Sequence, residues 1–293
     1  MALKLSLVIP CKDKNDKKLA DLLRSIEAQD FPKNEMEVLV ITEGTSESAK
    51  AIGIRKARGE VIGILASDNV LIKPHFLRWM YMKTLEHFAT FPAYYEPIRD
   101  SLNRYFALIG GNDPLSFYMG KNDRLPHYKE FHKTSQKGTS LGDNGFFILK
   151  RFIEQTDLNN YYHVDNANES ACWATPIEIS IIHNTGGNIF SFFCKRYLYG
   201  LQHAFNPNRR WHLVDFRQPK DIVRLIWFIV ASMTIVQPLS LSIRGYLKIR
   251  DVAFFLHPVV CILTVFTYAV LVMHLGVRRL FQSLSAPMIA QKA

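Results

Sequence analysis

The chain has 293 residues and a formal net charge of +10, a length that leaves room for one large domain or two modest ones. Hydrophobic residues at 48% against 21% charged supply a real core and exclude whole-chain disorder, while 15 Gly and 13 Pro exclude collagen-like and linker-like chains. The four cysteines stand at 11, 172, 194 and 261 without a C-x-x-C pair, which argues against a zinc ribbon and a disulfide scaffold.

Residues 3–10 (LKLSLVIP) form a short apolar, β-branched run ending in proline, the pattern of a buried strand. Residues 16–29 place Leu19, Leu22, Leu23 and Ile26 at helical spacing, with Asp16 able to cap the start. MEVLVI at 36–41 predicts a second strand, 46–58 a second helix closed by Gly59, and EVIGIL at 60–65 a third strand. Strand–helix–strand–helix–strand with short links predicts an α/β domain that opens on a doubly wound parallel sheet. Ligands of such sheets bind at the carboxyl ends of the strands. Here those ends carry Cys11–Asp13, Thr42–Gly44 and Ser67–Asn69, so Asp13, Glu43 and Asp68 are expected in one crevice. Neither G-x-G-x-x-G nor a P-loop pattern is present, which argues against a dinucleotide dehydrogenase or a P-loop enzyme. A pyrophosphate bound here would need a divalent cation or basic side chains.

LSLVIPCKDKND, EVLVITEGTSES and AKAIGIRKARGEVIGILASDN, taken in order and spacing, resemble the opening of family 2 glycosyltransferases with the GT-A fold. The resemblance covers about the first 75 residues. It implies a mixed-sheet nucleotide-diphospho-sugar domain that transfers sugar from a nucleotide-sugar donor. It places Pro10, Asp13, Glu43, Lys50, Ser67, Asp68 and Asn69 at the donor, with Glu43 toward the base or ribose and Lys50 at the family's arginine position. Asp68 then matches the last Asp of the D-x-D that holds Mg²⁺ or Mn²⁺ against the diphosphate. Thr42 and Ala66 stand where the family pattern has Asp.

In the middle of the chain, residues 75–135 mix helix-like stretches with aromatic and polar loops, and Gly110–Pro114 is a turn cluster. Gly142, Asn144, Lys150 and Arg151 resemble the family's acceptor-site segment. His163-Val164-Asp165 follows at the distance of the family's catalytic acid and resembles an H-x-D variant of membrane-attached members. A carboxylate within reach of an attacking hydroxyl can take its proton, so the resemblance makes Asp165 the base and His163 its orienting partner. IEISIIH at 177–183 predicts a further strand, and His183 at its end resembles the family's late histidine, a metal ligand.

The charge is unevenly placed. Residues 1–190 carry 23 Lys/Arg and 23 Asp/Glu, whereas residues 191–293 carry 13 and 3, so the whole excess lies in the last third. Residues 188–217 interleave aromatics with Lys195, Arg196, Arg209 and Arg210. Such a mixture could bind RNA or lie at a membrane interface. The uncharged runs that follow, 225–243 and 252–277, favour the membrane, and no nucleic acid is expected. Arg196, Arg209, Arg210 and Trp211 are therefore the candidate acceptor- or phosphate-binding residues. Basic flanks at both ends fit a hairpin whose ends face the cytoplasm, although Arg244, Lys248 and Arg250 in the turn fit equally a hairpin that enters one leaflet and returns. The strand that opens at Leu3 leaves no space for a leader, so the front of the chain is expected on the cytoplasmic side.

These readings divide the chain into a catalytic domain (1–205), a basic and aromatic juxtamembrane segment (206–221), a two-helix membrane hairpin (222–280) and a tail (281–293). The expected activity is an inverting, family 2 transfer from a UDP- or GDP-sugar, with Mg²⁺ or Mn²⁺, to a polyprenyl phosphate or lipid-linked saccharide on the cytoplasmic face, as in cell-envelope polysaccharide synthesis. The alternatives are a soluble or protein acceptor, or an inactive membrane scaffold of the same fold.

Overall fold

The computed structural model describes residues 3–87, 89–92, 100–109, 113–120, 145–154, 158, 173–174, 180–184, 188–203 and 213–290. The chain opens with β1 (Leu5–Pro10), α1 (Lys17–Glu27), β2 (Met36–Ile41), α2 (Ser46–Lys56) and β3 (Val61–Ile64). The Asp16 side chain accepts from the Lys18 backbone at the head of α1, and Thr45 with Ser48 forms a capping box on α2. Both helices therefore start where local side chains satisfy their first N–H groups.

Strands β1, β2 and β3 are parallel. The sheet continues through β6 (Phe146–Leu149), β5 (Ala89–Phe91) and β7 (Trp173–Ala174), giving the order β2-β1-β3-β6-β5-β7. β6 runs antiparallel to both β3 and β5. The sheet is thus mixed, as expected for the fold class. A separate antiparallel pair joins β4 (Asn69–Leu71) to β8 (Ile181–His183).

The strands bury both faces by alternation. Leu5, Leu7 and Ile9 join α1 and α3 (Phe76–His87) in one core, while Val8, Ile62 and Ile64 join α2 in the other. Gly63 lies where a Cβ would stand 2.6 Å from the Phe147 ring, so only glycine admits that ring across the β3–β6 pairing.

The remaining helices form a second layer. They are α4 (Ser101–Ile109), α5 (Leu115–Tyr118), α7 (Ile189–His203), α8 (Pro219–Thr234), α9 (Val236–Ile249) and α10 (His257–Ala290), after the short α6 (Lys150–Ile153). Leu102, Tyr105 and Phe106 of α4 pack with Phe192, Phe254 and Val260. Tyr118 and Met119 pack with Phe228, Leu241 and Cys261. Helices α4 and α5 are therefore cored against the C-terminal helices rather than against the sheet.

The first uncharged run, 225–243, does not form one helix. α8 ends at Thr234, Ile235 takes a left-handed φ of 64°, and α9 departs at 81°. Pro238 explains the break. It has no N–H to donate to Thr234, and its ring would collide with that carbonyl in a continuous helix. The second run is not broken in this way: a 3-10 turn at Val252–Leu256 leads into α10, and Val252–Arg278, 27 residues, is long and apolar enough to cross a membrane.

Candidate functional site

The parallel strands deliver Pro10, Asp13, Glu43, Ser67, Asp68 and Asn69 to one edge of the sheet. Asp13 accepts from the Asn15 backbone at 2.9 Å and shapes the link into α1. Glu43 is exposed before Gly44, whose φ of 77° makes the tight turn into α2. After β3, Asn69 closes a turn by accepting from the Ala66 N–H at 2.9 Å, while its own N–H bonds the Ala66 carbonyl at 3.0 Å. Asn69 is fully buried, so this turn is rigidly placed.

The β4–β8 register sets Asn69 opposite His183. In consequence His183 Nε2 lies 3.4 Å from Asp68 Oδ1. The Asn184 N–H donates to the Asp68 carbonyl at 2.8 Å and fastens the end of β8 to the turn. From the other side, Lys18 of α1 donates its ammonium to the Asn184 carbonyl at 2.9 Å. Asn103 of α4 also reaches the Asn184 side chain, at 3.4 Å. Four segments remote in sequence thus converge on the Asp68 turn.

Burial pushes the Asp68 carboxyl up, but the imidazole of His183 and the charge of Lys18 outweigh it, and the acid is held below its ordinary range. Burial, with the charge of Lys195 on α7, lowers the Lys18 ammonium against the opposing pull of Asp68 and Asp16. Asp68 Oδ1 accepts no hydrogen bond from the described residues, the His183 approach being an ion-pair distance only.

An ionised carboxylate oxygen without a hydrogen-bond donor, beside an imidazole nitrogen, suits a divalent cation. Mg²⁺ and Mn²⁺ sites often use one or two carboxylates and leave the other positions to substrate phosphates and water. Asp68 and His183 are the residues that would hold the ion. Among the described residues no cluster of three or more His, Cys, Asp or Glu exists, so the substrate would have to complete the shell.

Other expected site residues are placed differently. Lys50 pairs with Glu47 at 2.8 Å, both side chains nearly buried. Arg196 binds the Asp113 carboxylate and lies 3.4 Å from the Tyr268 hydroxyl, between α7, the head of α5 and α10. Asn144, His163, Asp165, Arg209, Arg210 and Trp211 lie outside the described residues. Lys18 did not emerge from the sequence. It is one of several lysines around the first turn of α1 and has the spacing of an ordinary solvated helix face. Its only sequence signal is position, at the carboxyl edge of the first strand.

No family model matches the chain, and comparison with curated proteins gives no match. Among solved structures, S. aureus TarS 1-349 aligns with a TM-score of 0.42 at 13% identity, over 70% of this chain and 67% of that one. Another S. aureus TarS structure aligns at 0.40 and 12% identity, over 70% of this chain and 41% of that one. The mannosyltransferase PcManGT from Pyrobaculum calidifontis, in complex with GDP-Man and Mn²⁺, aligns at 0.48 and 11% identity, over 92% and 87%. At these scores and identities the likeness decides nothing about the chemistry of this chain.

Proposed function

We propose that the chain is a nucleotide-sugar-dependent glycosyltransferase that resembles family 2 and acts on a membrane-linked acceptor. The observation that carries this reading is the meeting of Asp68 and His183, at 3.4 Å, at the carboxyl ends of the parallel strands β1–β3. Both were singled out from the sequence as metal ligands, and the chain between them is long enough that local structure alone does not bring them together.

In this reading the nucleoside lies toward Glu43 and the diphosphate toward the Asp68 turn. A divalent ion, when bound, would stabilise the negative charge on the departing diphosphate. The acceptor oxygen attacks the anomeric carbon, the bond from that carbon to the donor phosphate oxygen breaks, and the nucleoside diphosphate leaves with the electron pair. The configuration inverts. For a hydroxyl acceptor the proton passes to Asp165, oriented by His163; an acceptor that is already a phosphate has no proton to give up.

The membrane part of the reading rests on the second layer. Trp227, Val236, Val252, Phe266 and Met273 are all more than half exposed on consecutive elements, the kind of apolar surface that marks a membrane or protein contact. Val252–Arg278 would cross the bilayer, and the bent α8–α9 pair would enter and return or form a broken span. The excess of basic over acidic residues in the last third, 13 against 3, favours contact with the anionic headgroups of the cytoplasmic leaflet, the side on which the catalytic sheet would also stand.

A second reading, an inactive scaffold, is favoured by one observation: Ala66 stands where the family pattern carries a metal-binding carboxylate. Incubating the membrane-embedded protein with UDP- and GDP-sugars, Mn²⁺ and a lipid extract, and reading product masses, tests the proposal. A sugar added to a lipid supports it. Donor binding without any transfer or donor hydrolysis supports the scaffold instead.

A further inference from the structure

We propose that Lys18 forms a fixed cationic contact for the donor diphosphate at the Asp68 turn, so that donor binding does not depend wholly on a divalent ion. This deepens the reading above and rests on it.

The placement of Lys18 is built. Its ammonium is tied to the Asn184 carbonyl at 2.9 Å, and the Asn184 N–H is tied to the Asp68 carbonyl at 2.8 Å. The same strand end carries His183, 3.4 Å from the Asp68 carboxylate. The lysine is therefore held by the end of β8, which carries one candidate metal ligand and is fastened to the turn that carries the other, and it is half-buried there. Asp68 and Asp16 are the opposing charges that act on Lys18.

The chemistry gives this lysine a task. An ion held by one carboxylate and one imidazole binds weakly before substrate arrives, because hard cations want several oxygens. A diphosphate facing such a site gains from an ammonium group that is always present. Lysine binds phosphate as a point charge, without the planar fork that arginine requires.

The test is calorimetric binding to the full-length protein in detergent, with UDP, GDP, uridine, guanosine and inorganic pyrophosphate as probes, in EDTA and in Mn²⁺. Expected is measurable binding of a nucleoside diphosphate in EDTA, weakened about tenfold in Lys18→Met and in Lys18→Gln. Lys18→Arg should retain most of the affinity, and the matching nucleoside should bind all three variants and the parent alike. Should Lys18→Met fail to fold, Lys18→Gln and Lys18→Arg still decide. The inference is overturned if binding in EDTA vanishes in the parent protein, or if Lys18→Met and Lys18→Gln bind the diphosphate as the parent does while losing only thermal stability. Lysine-dependent binding of pyrophosphate with no binding of either nucleotide would keep the anion site and sink the glycosyltransferase reading instead.

Discussion

His183 Nε2 stands 3.4 Å from Asp68 Oδ1 because β8 pairs with β4 in a register that sets His183 against Asn69. The carboxylate and imidazole are thus placed by backbone hydrogen bonds rather than by chance rotamers. His183→Ala should leave the β4–β8 pair intact and weaken the Mn²⁺-dependent part of nucleoside diphosphate binding by about tenfold or more. Asp68→Asn should do the same with little change in volume. Titration calorimetry with and without Mn²⁺ checks both, and equal affinities in parent and variants would remove these residues from the site.

Glu37 offers a pH test away from the site. Its Oε1 accepts from Ser6 Oγ and the Arg58 N–H, both at 2.7 Å, and its Oε2 accepts from the Arg58 guanidinium at 2.8 Å. Burial raises this acid, but the hydrogen bonds from Ser6 and Arg58 and the Arg58 charge prevail and its pKa falls below the usual 4.5. A lowered folded-state value means that the group stabilises the protein above about 4.5 and that this contribution fades as pH drops through the lowered value. Glu37→Gln should therefore lower the Tm by a few degrees at neutral pH and converge with the parent in strong acid. Thermal unfolding across the acid range measures it.

Arg196 and Asp113 form a mostly buried ion pair that ties α7 to the head of α5 and reaches Tyr268 on α10. Asp113→Ala leaves a guanidinium without its counter-charge and should cost about 3–5 kcal/mol, read by denaturant unfolding in detergent. Replacing both residues with apolar ones of similar size should recover much of that loss. If Asp113→Ala instead leaves stability unchanged and alters lipid-phosphate binding, Arg196 serves the acceptor, as its place in the basic belt suggests.

The exposed apolar face of α10 predicts tight membrane association. Phe266→Glu combined with Val270→Glu, both on exposed positions of the long helix, should shift the protein from the membrane pellet toward the supernatant without detergent. A parent protein that is already soluble after such fractionation contradicts the membrane reading.

The first half of the fold was readable because its signals are local. The strand at 36–41 appears where its apolar run stands, and α1 and α2 begin where Asp16 and Thr45 cap them. What escaped depends on distant partners. FFIL at 146–149 has the composition of a strand, yet only the antiparallel pairing with β3 and β5 makes it the centre of the sheet. The site was half readable: Asp68 and His183 follow strand ends, whereas Lys18 acquires its meaning only when Asn184 arrives beside it. The run at 225–243 carries its interruption in the sequence, Gln237 and Pro238, and the helix breaks just ahead of that proline.

The interleaving of α4 and α5 with the C-terminal helices has a practical consequence. Tyr105 donates to or accepts from His257 at 2.7 Å, and Phe106, Tyr118 and Met119 find their cover on elements beyond residue 188. Cutting the chain after residue 205, the natural place to sever an enzyme from its anchor, would strip the lid from two greasy seams and leave the remnant prone to clump. The sheet domain and the C-terminal helices therefore fold as one block, and biochemistry on this protein is best done with both attached.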